Sequence, residues 1–447
     1  MTKNKTSKSL YSLIEKFLKN KIFSVCELEK YYKITILGIR FSFSKTRDIY
    51  EASQKMRDDQ TKVLQKLNKE IKTRKLKVAF LVVDNQKWNA ESLYRIFEKS
   101  LHFDPYIVVS QLHNIHLGTE KNRQGIEENT RFFENLGLNV ISGYNLKKKE
   151  YINLESLGFD IIFYSSPWEE EFSEAQWINN TSKHALLCYI PYAIAESPSS
   201  MKHNKLFFES IFKQYIVDKK ILKDYHKVIK KNRKSIIATG HTKLDCFLKP
   251  CNKSGFEKPS IIYAPHFTIG QRFFSTGTFD WSGMHILDYA KKHPEYHWIF
   301  KPHPLLKSEF VNTNFMSKED IDNYYNEWAK LGTVYEYGNY FDLFRNSFAL
   351  ITDSASFLLE YYPTQKPVIR LISKTYTYNN ALTEMVAGNY YLAHNLKELA
   401  NSLKQILEDK KDPMKEKRLR FLKLFQPCKN SAAENIFKDL EAELEIK

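Results

Sequence analysis

The chain has 447 residues, 43% hydrophobic and 14% aromatic, enough to fill two or three cores and too apolar for a disordered segment. Its 68 Lys and Arg against 52 Asp and Glu give a net charge of +16, which suits phosphorylated substrates or anionic headgroups; no zinc-finger spacing, RNP-like aromatic strand or long basic block supports nucleic acid. Five scattered cysteines (Cys26, Cys188, Cys246, Cys251 and Cys428) and the lack of any run near 18 apolar residues argue against a disulfide framework and a membrane span, so a cytoplasmic protein is expected.

Residues 1–75 read as an N-terminal extension. Leu10, Leu13, Ile14, Phe17 and Leu18 follow helical spacing among lysines, a stripe that can dock on the core or lie on an anionic membrane. Tyr31 to Ser44 alternates as a hairpin turning near Gly38, and 48–75 reads as a polar helix with Met56, Val63, Leu67 and Ile71 on one face. A first domain is expected over 76–234. It opens on the apolar strand Lys77 to Val83, which ends in Asp84, and a helix follows from about Ala90. Further strands are expected at Pro105–Ser110, Val140–Ser142, Asp160–Tyr164 and Ala185–Ile190, the alternation of a doubly wound parallel sheet. No Gly-x-Gly-x-x-Gly fingerprint is present. The strand ends carry Asp84, Trp88, His113, Ser165, Pro167 and Tyr192, and these would face an acceptor bound in this domain. Asp84 can serve as the general base, since a carboxylate at a strand end can take a hydroxyl proton; it can equally cap the next helix.

The interdomain crossing is expected near 219–234, and a second domain over 235–447. Four strand-end motifs follow in order. Ile236-Ile237-Ala238 runs into Thr239-Gly240-His241 and Asp245; Ile261 to Ala264 into Pro265-His266; Trp298-Ile299-Phe300 into Lys301-Pro302-His303-Pro304. The fourth, Phe348 to Ile351, stops at Thr352-Asp353-Ser354 and a helix start, before Pro367 opens another strand. Prolines fix the backbone and remove donors, so such loops can be stiff without being regular. In an open parallel sheet the carboxyl ends of the strands border the ligand crevice. The start of the helix, with Asp353, Ser354 and Ser356, suits phosphate, and Glu360, two turns on, could reach ribose hydroxyls. Residues 413–425 are again basic and amphipathic, a solvated face that could also meet lipid phosphates.

Tyr263-Ala264-Pro265, Lys301-Pro302-His303-Pro304 and Thr352-Asp353-Ser354-Ala355-Ser356…Glu360…Lys366-Pro367, in that order, resemble the CDP-glycerol glycerophosphotransferases of teichoic-acid and capsule synthesis over about 180–375. The resemblance implies an α/β protein of GT-B fold, two Rossmann-like doubly wound domains across a cleft, here with an N-terminal α/β extension. It implies a CDP-linked donor held mainly by the second domain. His303 would meet the diphosphate or leaving group and His266 would line the cleft. Lys301, Asp353, Ser354 and Ser356 would neutralise or hold phosphate, and Glu360 the ribose. The donor is a substrate, no resident cofactor is implied, and the need for a divalent metal stays open.

Two positions depart from the family pattern. The first-domain His-Gly-Thr strand end reads Leu187-Cys188-Tyr189-Ile190-Pro191-Tyr192-Ala193, without the histidine assumed to be the base, and the first of two adjacent serines is Ala355. The Asp-Ser-x-x…Glu pattern also occurs in other GT-B enzymes that bind nucleotide sugars, sialic-acid-pathway epimerases among them. The expected activity is transfer of a polyol phosphate, glycerol phosphate first, from a CDP donor to a glycan, polyol or lipid-linked acceptor, at the inner face of the cell membrane. Two alternatives stay open: a nucleotide-sugar glycosyltransferase of capsule or lipooligosaccharide synthesis, and a non-catalytic scaffold of a capsule-assembly complex.

Overall fold

The computed structural model describes residues 23–27, 31–36, 39–44, 46–110, 119–250, 256–269, 276–336, 340–374, 381–425 and 430–446. The basic stripe at 10–18 and His113 lie outside them.

Strands β1 (Phe23–Glu27), β2 (Tyr31–Ile36) and β3 (Ile39–Ser44) form an antiparallel sheet, with Ile36 paired to Ile39. The alternation over Tyr31 to Ser44 does form the expected hairpin; β1 is an addition. The helix Thr46–Glu70 follows, and Met56, Val63, Leu67 and Ile71 are buried as their spacing requires. This helix is a layer of the first domain. Its buried Gln60 donates to the Ser210 carbonyl at 2.8 Å and accepts from the Leu187 amide at 2.9 Å, so a polar side chain on the packed face has a partner at each end.

The first sheet takes β4 (Leu76–Val82), β5 (Phe103–Val109), β6 (Val140–Ser142), β9 (Ile161–Tyr164), β10 (Leu186–Tyr189), β11 (Lys213–Ile216) and β12 (Ile236–Ala238). Between β6 and β9 the two-residue strands β7 (Tyr144–Asn145) and β8 (Glu150–Tyr151) pair separately. The order is β12-β11-β10-β9-β4-β5-β6, parallel throughout. Runs such as LKVAFLV and IIFY are apolar along their length because helices cover both faces of a parallel sheet. The second sheet takes β13 (Ser260–Ala264), β14 (His297–Phe300), β15 (Gly332–Val334), β16 (Ala349–Thr352), β17 (Val368–Leu371) and β18 (Tyr391–Ala393) in the order β15-β14-β13-β16-β17-β18, again parallel. Each sheet therefore reverses its strand order once, between β4 and β9 in the first and between β13 and β16 in the second. Those two switch points are where ligands bind in such sheets.

Two segments lie elsewhere than the sequence suggested. Ile236–Ala238 is the edge strand of the first sheet, paired to Gln214–Ile216, so the crossing falls after Ala238 rather than at 219–234. The helix Ala432–Glu443 returns to the first domain. Phe437 packs on Phe97 and Phe103, while Lys213 and Tyr215 reach Asp439. In the helix Lys415–Phe425 that precedes it, Lys415, Lys417 and Arg420 are exposed as a basic face would be, while Arg418 is wholly buried, donating to Asp412 and to the Gln365 carbonyl.

Candidate active site

The loop after β14 is an extension of the sheet. Lys301 N–H donates to the Tyr263 carbonyl at 2.8 Å and His303 N–H to the Pro265 carbonyl at 3.0 Å, while Pro302 and Pro304 have no donor to place. Two residues apart on extended backbone, Lys301 and His303 face the same way. The His266 ring, from the end of β13, stands 5.1 Å from the His303 ring, and Phe267 touches both at 4.5 Å.

Both imidazoles have a fixed tautomer. His303 Nδ1 accepts from the Leu305 amide at 3.2 Å. His266 Nδ1 accepts from the Thr268 amide at 3.3 Å and lies 3.0 Å from the Thr268 hydroxyl, which itself accepts from the amides of Thr276 and Gly277. With Nδ1 occupied as acceptor, each neutral ring carries its proton on Nε2. Burial, and for His303 the Lys301 charge as well, draws the imidazolium pKa down to about 4 in His303; burial, then the neighbouring His303, draws it to about 3 in His266. At neutral pH the pair offers two Nε2–H donors and no base. Gly277 makes this loop possible, since a Cβ there would sit 1.9 Å from the Thr268 carbonyl oxygen.

Lys301, 6% exposed, lies in an aromatic cage. Its ammonium is 4.7 Å from the Tyr340 ring, 5.5 Å from Phe357 and 5.6 Å from Tyr335. Burial lowers its pKa to about 8, against the pull of the nearby Glu360 carboxylate. It is a desolvated cation held by rings instead of a carboxylate, and such a charge is drawn to an anion.

Two residues expected on the ligand are engaged by the protein. Asp353 accepts from the amides of His266 (2.6 Å) and Thr278 (2.7 Å) and from the Thr278 hydroxyl (3.0 Å), with burial raising its pKa to about 6. It clamps the loops after β13 and β16 together and is not turned to a phosphate. Glu360, 1% exposed, accepts from Lys243 at 2.8 Å and from the Tyr340 hydroxyl at 2.6 Å, so no oxygen is presented to a ribose. The helix that carries it, Ala355–Glu360, is six residues long. Ser354 and Ser356 make no cap; their hydroxyls lie 3.2 Å apart beside the switch point. Asp84 caps the turn Asn85–Lys87 through the Gln86 amide at 2.9 Å, at the other switch point. Thr268, Thr278 and Tyr340 were not singled out from the sequence; each meets its partner only through the fold.

The connector after β12 joins the two halves. Gly240, at φ +88°, makes a turn that other residues resist. His241 Nε2 donates to the Pro191 carbonyl at 2.8 Å, on the strand end where the family histidine is absent, and burial draws the His241 pKa down to about 3. Asp245 accepts from the Ser92 hydroxyl and from the amides of Ala432 and Ala433, capping the last helix. Among the described residues no group of three His, Cys, Asp or Glu could hold a metal ion.

Two parallel doubly wound sheets, each with polar groups at its switch point, define an α/β protein of GT-B fold. A putative UDP-N-acetylglucosamine 2-epimerase from Listeria monocytogenes has a similar structure at TM-score 0.55 and 13% identity, covering 84% of this chain and 98% of that one. The S. aureus MnaA–UDP co-structure is similar at TM-score 0.52 and 11% identity, covering 83% and 98%. At such identities the likeness establishes the fold. Residues 251–441 match the family model described as CDP-Glycerol:Poly(glycerophosphate) glycerophosphotransferase, so the resemblance carried by the second-domain motifs is borne out there. The match supports a transferase of the CDP-glycerol glycerophosphotransferase type. No curated protein sequence matches the chain.

Proposed function

We propose that the protein moves a polyol phosphate, glycerol phosphate first, from a CDP-activated donor to a hydroxyl of a glycan or polyol acceptor in surface-polysaccharide synthesis. The observation that carries this reading is the caged Lys301 ammonium beside two imidazoles locked as Nε2–H donors, within the segment that matches the family. The acceptor oxygen attacks the distal phosphorus, the bond from that phosphorus to the bridging oxygen breaks, and CMP leaves. Lys301, His266 and His303 meet the charge that gathers on the bridging and terminal oxygens, with no reorganisation at the moment of reaction. The Ser354 and Ser356 hydroxyls add donors. Asp84 takes the acceptor proton, and Asp353 and Glu360 act at one remove, holding the loop of His266 and the ring of Tyr340.

The chain's charge of +16 supports a place beside an anionic membrane; among the described residues no helix is long and apolar enough to cross one. The test is thermal shift with CDP-glycerol, CDP-ribitol, CMP, UDP and UDP-sugars, since a ligand of the folded state raises its stability by about 2.7 kcal/mol at a hundred times Kd. Selective stabilisation by CDP-polyols, followed by CMP release when acceptor is added, is the expected result. Selective stabilisation by a UDP-sugar would instead assign a nucleotide-sugar enzyme.

A further inference from the structure

The switch point of the first sheet holds a second cluster, which the transfer chemistry described above does not use. Strands β10, β9 and β4 are adjacent in that order, and the loops at their carboxyl ends converge. Lys87, after β4, forms an ion pair with Glu171, after β9, both side chains being mostly buried. The Lys87 ammonium also lies 5.2 Å from the ring centre of Tyr192, after β10. Trp168 lies beside the Tyr192 hydroxyl with its ring 5.9 Å from the His203 ring, and the Tyr192 amide donates to the Ser165 carbonyl at 2.9 Å. Trp168 and Tyr192 are thus held in place yet only half-buried. Amphipathic rings fixed in this way give large contact area at little entropic cost.

The charged residues that neighbour these rings in the chain are mostly acidic. Lys87 is neutralised by Glu171, while Glu169 and Glu170 are exposed beside Trp168, and Asp84 lies three residues before Lys87. In a chain of net charge +16 this is a local reversal. A phosphodiester brought within a few ångströms would be repelled, because screening acts only over about 8–10 Å. A neutral polyol face would meet rings to stack on and carboxylates to receive its hydroxyls. The crevice is joined to the donor side by a chain of contacts: Pro191 to His241, Lys243 to Glu360, Glu360 to Tyr340, and Tyr340 to Lys301.

Resting on the transferase reading, we propose that the crevice of Lys87, Trp168, Glu171 and Tyr192 is the acceptor subsite, and that it takes an uncharged sugar instead of a phosphate-bearing polymer. The protein then primes or decorates a neutral glycan and does not extend its own anionic product.

Saturation-transfer NMR on the full chain tests this with methyl glucoside, methyl galactoside, methyl N-acetylglucosaminide and a glycerol-phosphate trimer as probes. At least one neutral glycoside should receive signal and the trimer should not. Trp168→Ala should weaken that glycoside roughly ten-fold, and Trp168→Phe should keep most of the binding. Glu171→Gln, which keeps the shape of the side chain, should also weaken it and serves if Trp168→Ala does not fold. No signal from any neutral glycoside, preference for the trimer, or undiminished binding in the variants would overturn the inference. CDP-glycerol thermal shift on the same samples separates the two readings. Glycoside binding without a CDP-glycerol response would sink the transferase reading and with it the acceptor role, leaving a sugar site only; a CDP-glycerol response without glycoside binding would sink only the subsite.

Discussion

Replacing Lys301 by methionine should stabilise the unliganded fold while weakening the donor, a pairing that a merely structural lysine would not give. Burial among Tyr335, Tyr340 and Phe357 takes the ammonium from 10.5 to about 8. At about 1.4 kcal/mol per pH unit, keeping it charged at pH 7 costs the folded state about 3 kcal/mol. The ring contacts return about 1–2 kcal/mol of that. Methionine fills the same volume and packs well on aromatic rings, and Glu360 keeps Lys243 and Tyr340, so no carboxylate is orphaned. The net gain is about 1–2 kcal/mol, or roughly 2–8 °C in apparent Tm.

The sign with pH is fixed by the same shift. Between about 8 and 10.5 the unfolded chain binds the proton that the folded protein has released, so wild-type stability rises with pH there and the advantage of the variant disappears. Donor affinity moves the other way. Loss of a charge-assisted contact to phosphate is worth about 1.5–3 kcal/mol, roughly a 10- to 150-fold weaker Kd for CDP-glycerol. Above pH 8 wild-type affinity should fall as the free ammonium deprotonates, and the Lys301→Met profile should be flat. Urea melts across pH and calorimetric titration with CDP-glycerol measure both. A variant less stable than wild type at pH 7, or one whose Kd changes less than about three-fold, would refute the reasoning.

Three further outcomes follow from the geometry. His303→Ala should lower kcat roughly 10²–10³-fold, and His303→Gln, whose amide N–H reaches near the place of Nε2–H, should recover at least about ten-fold of it; equal inactivity in both, with a pH–rate limb lost in both, would show proton transfer instead. Asp245→Ala removes the acceptor shared by Ser92, Ala432 and Ala433 and should cost about 3 kcal/mol in a urea melt, with early hydrogen exchange in the helix Ala432–Glu443. Asp353→Asn should change the pH dependence of stability. The folded carboxyl takes its proton near pH 6 and the unfolded one near 3.8, so the wild type gains up to about 3 kcal/mol over the variant as pH falls through that window; parallel curves from pH 7 to 4 would contradict it.

The strand ends were legible because a parallel strand is buried on both faces, so its apolar run stops abruptly where the backbone reaches the crevice. That is why His266, Lys301, His303, Ser354 and Ser356 gather at one switch point. An apolar run does not say which sheet will pair with it, and Ile236–Ala238 joined the first sheet instead of opening the second. β11 escaped the same reading because Lys213 and Gln214 are buried in it. Lys213 is matched by Asp439 and Glu443 from the far end of the chain, and Gln214 by Ser235 and the Phe208 carbonyl.

The division of labour within the site was hidden for a related reason. Asp353 and Glu360 lie after strand β16, as ligand-binding carboxylates would, yet donors arriving from 75 and 117 residues away consume their oxygens. A polar residue at a strand end is therefore a candidate only until the fold's own donors and acceptors are counted. By that count the carboxylates hold the architecture. Among the described residues the groups left with capacity for a ligand are the Lys301 ammonium in its ring cage, the two imidazole Nε2–H bonds and the Ser354 and Ser356 hydroxyls, all of them suited to an anion.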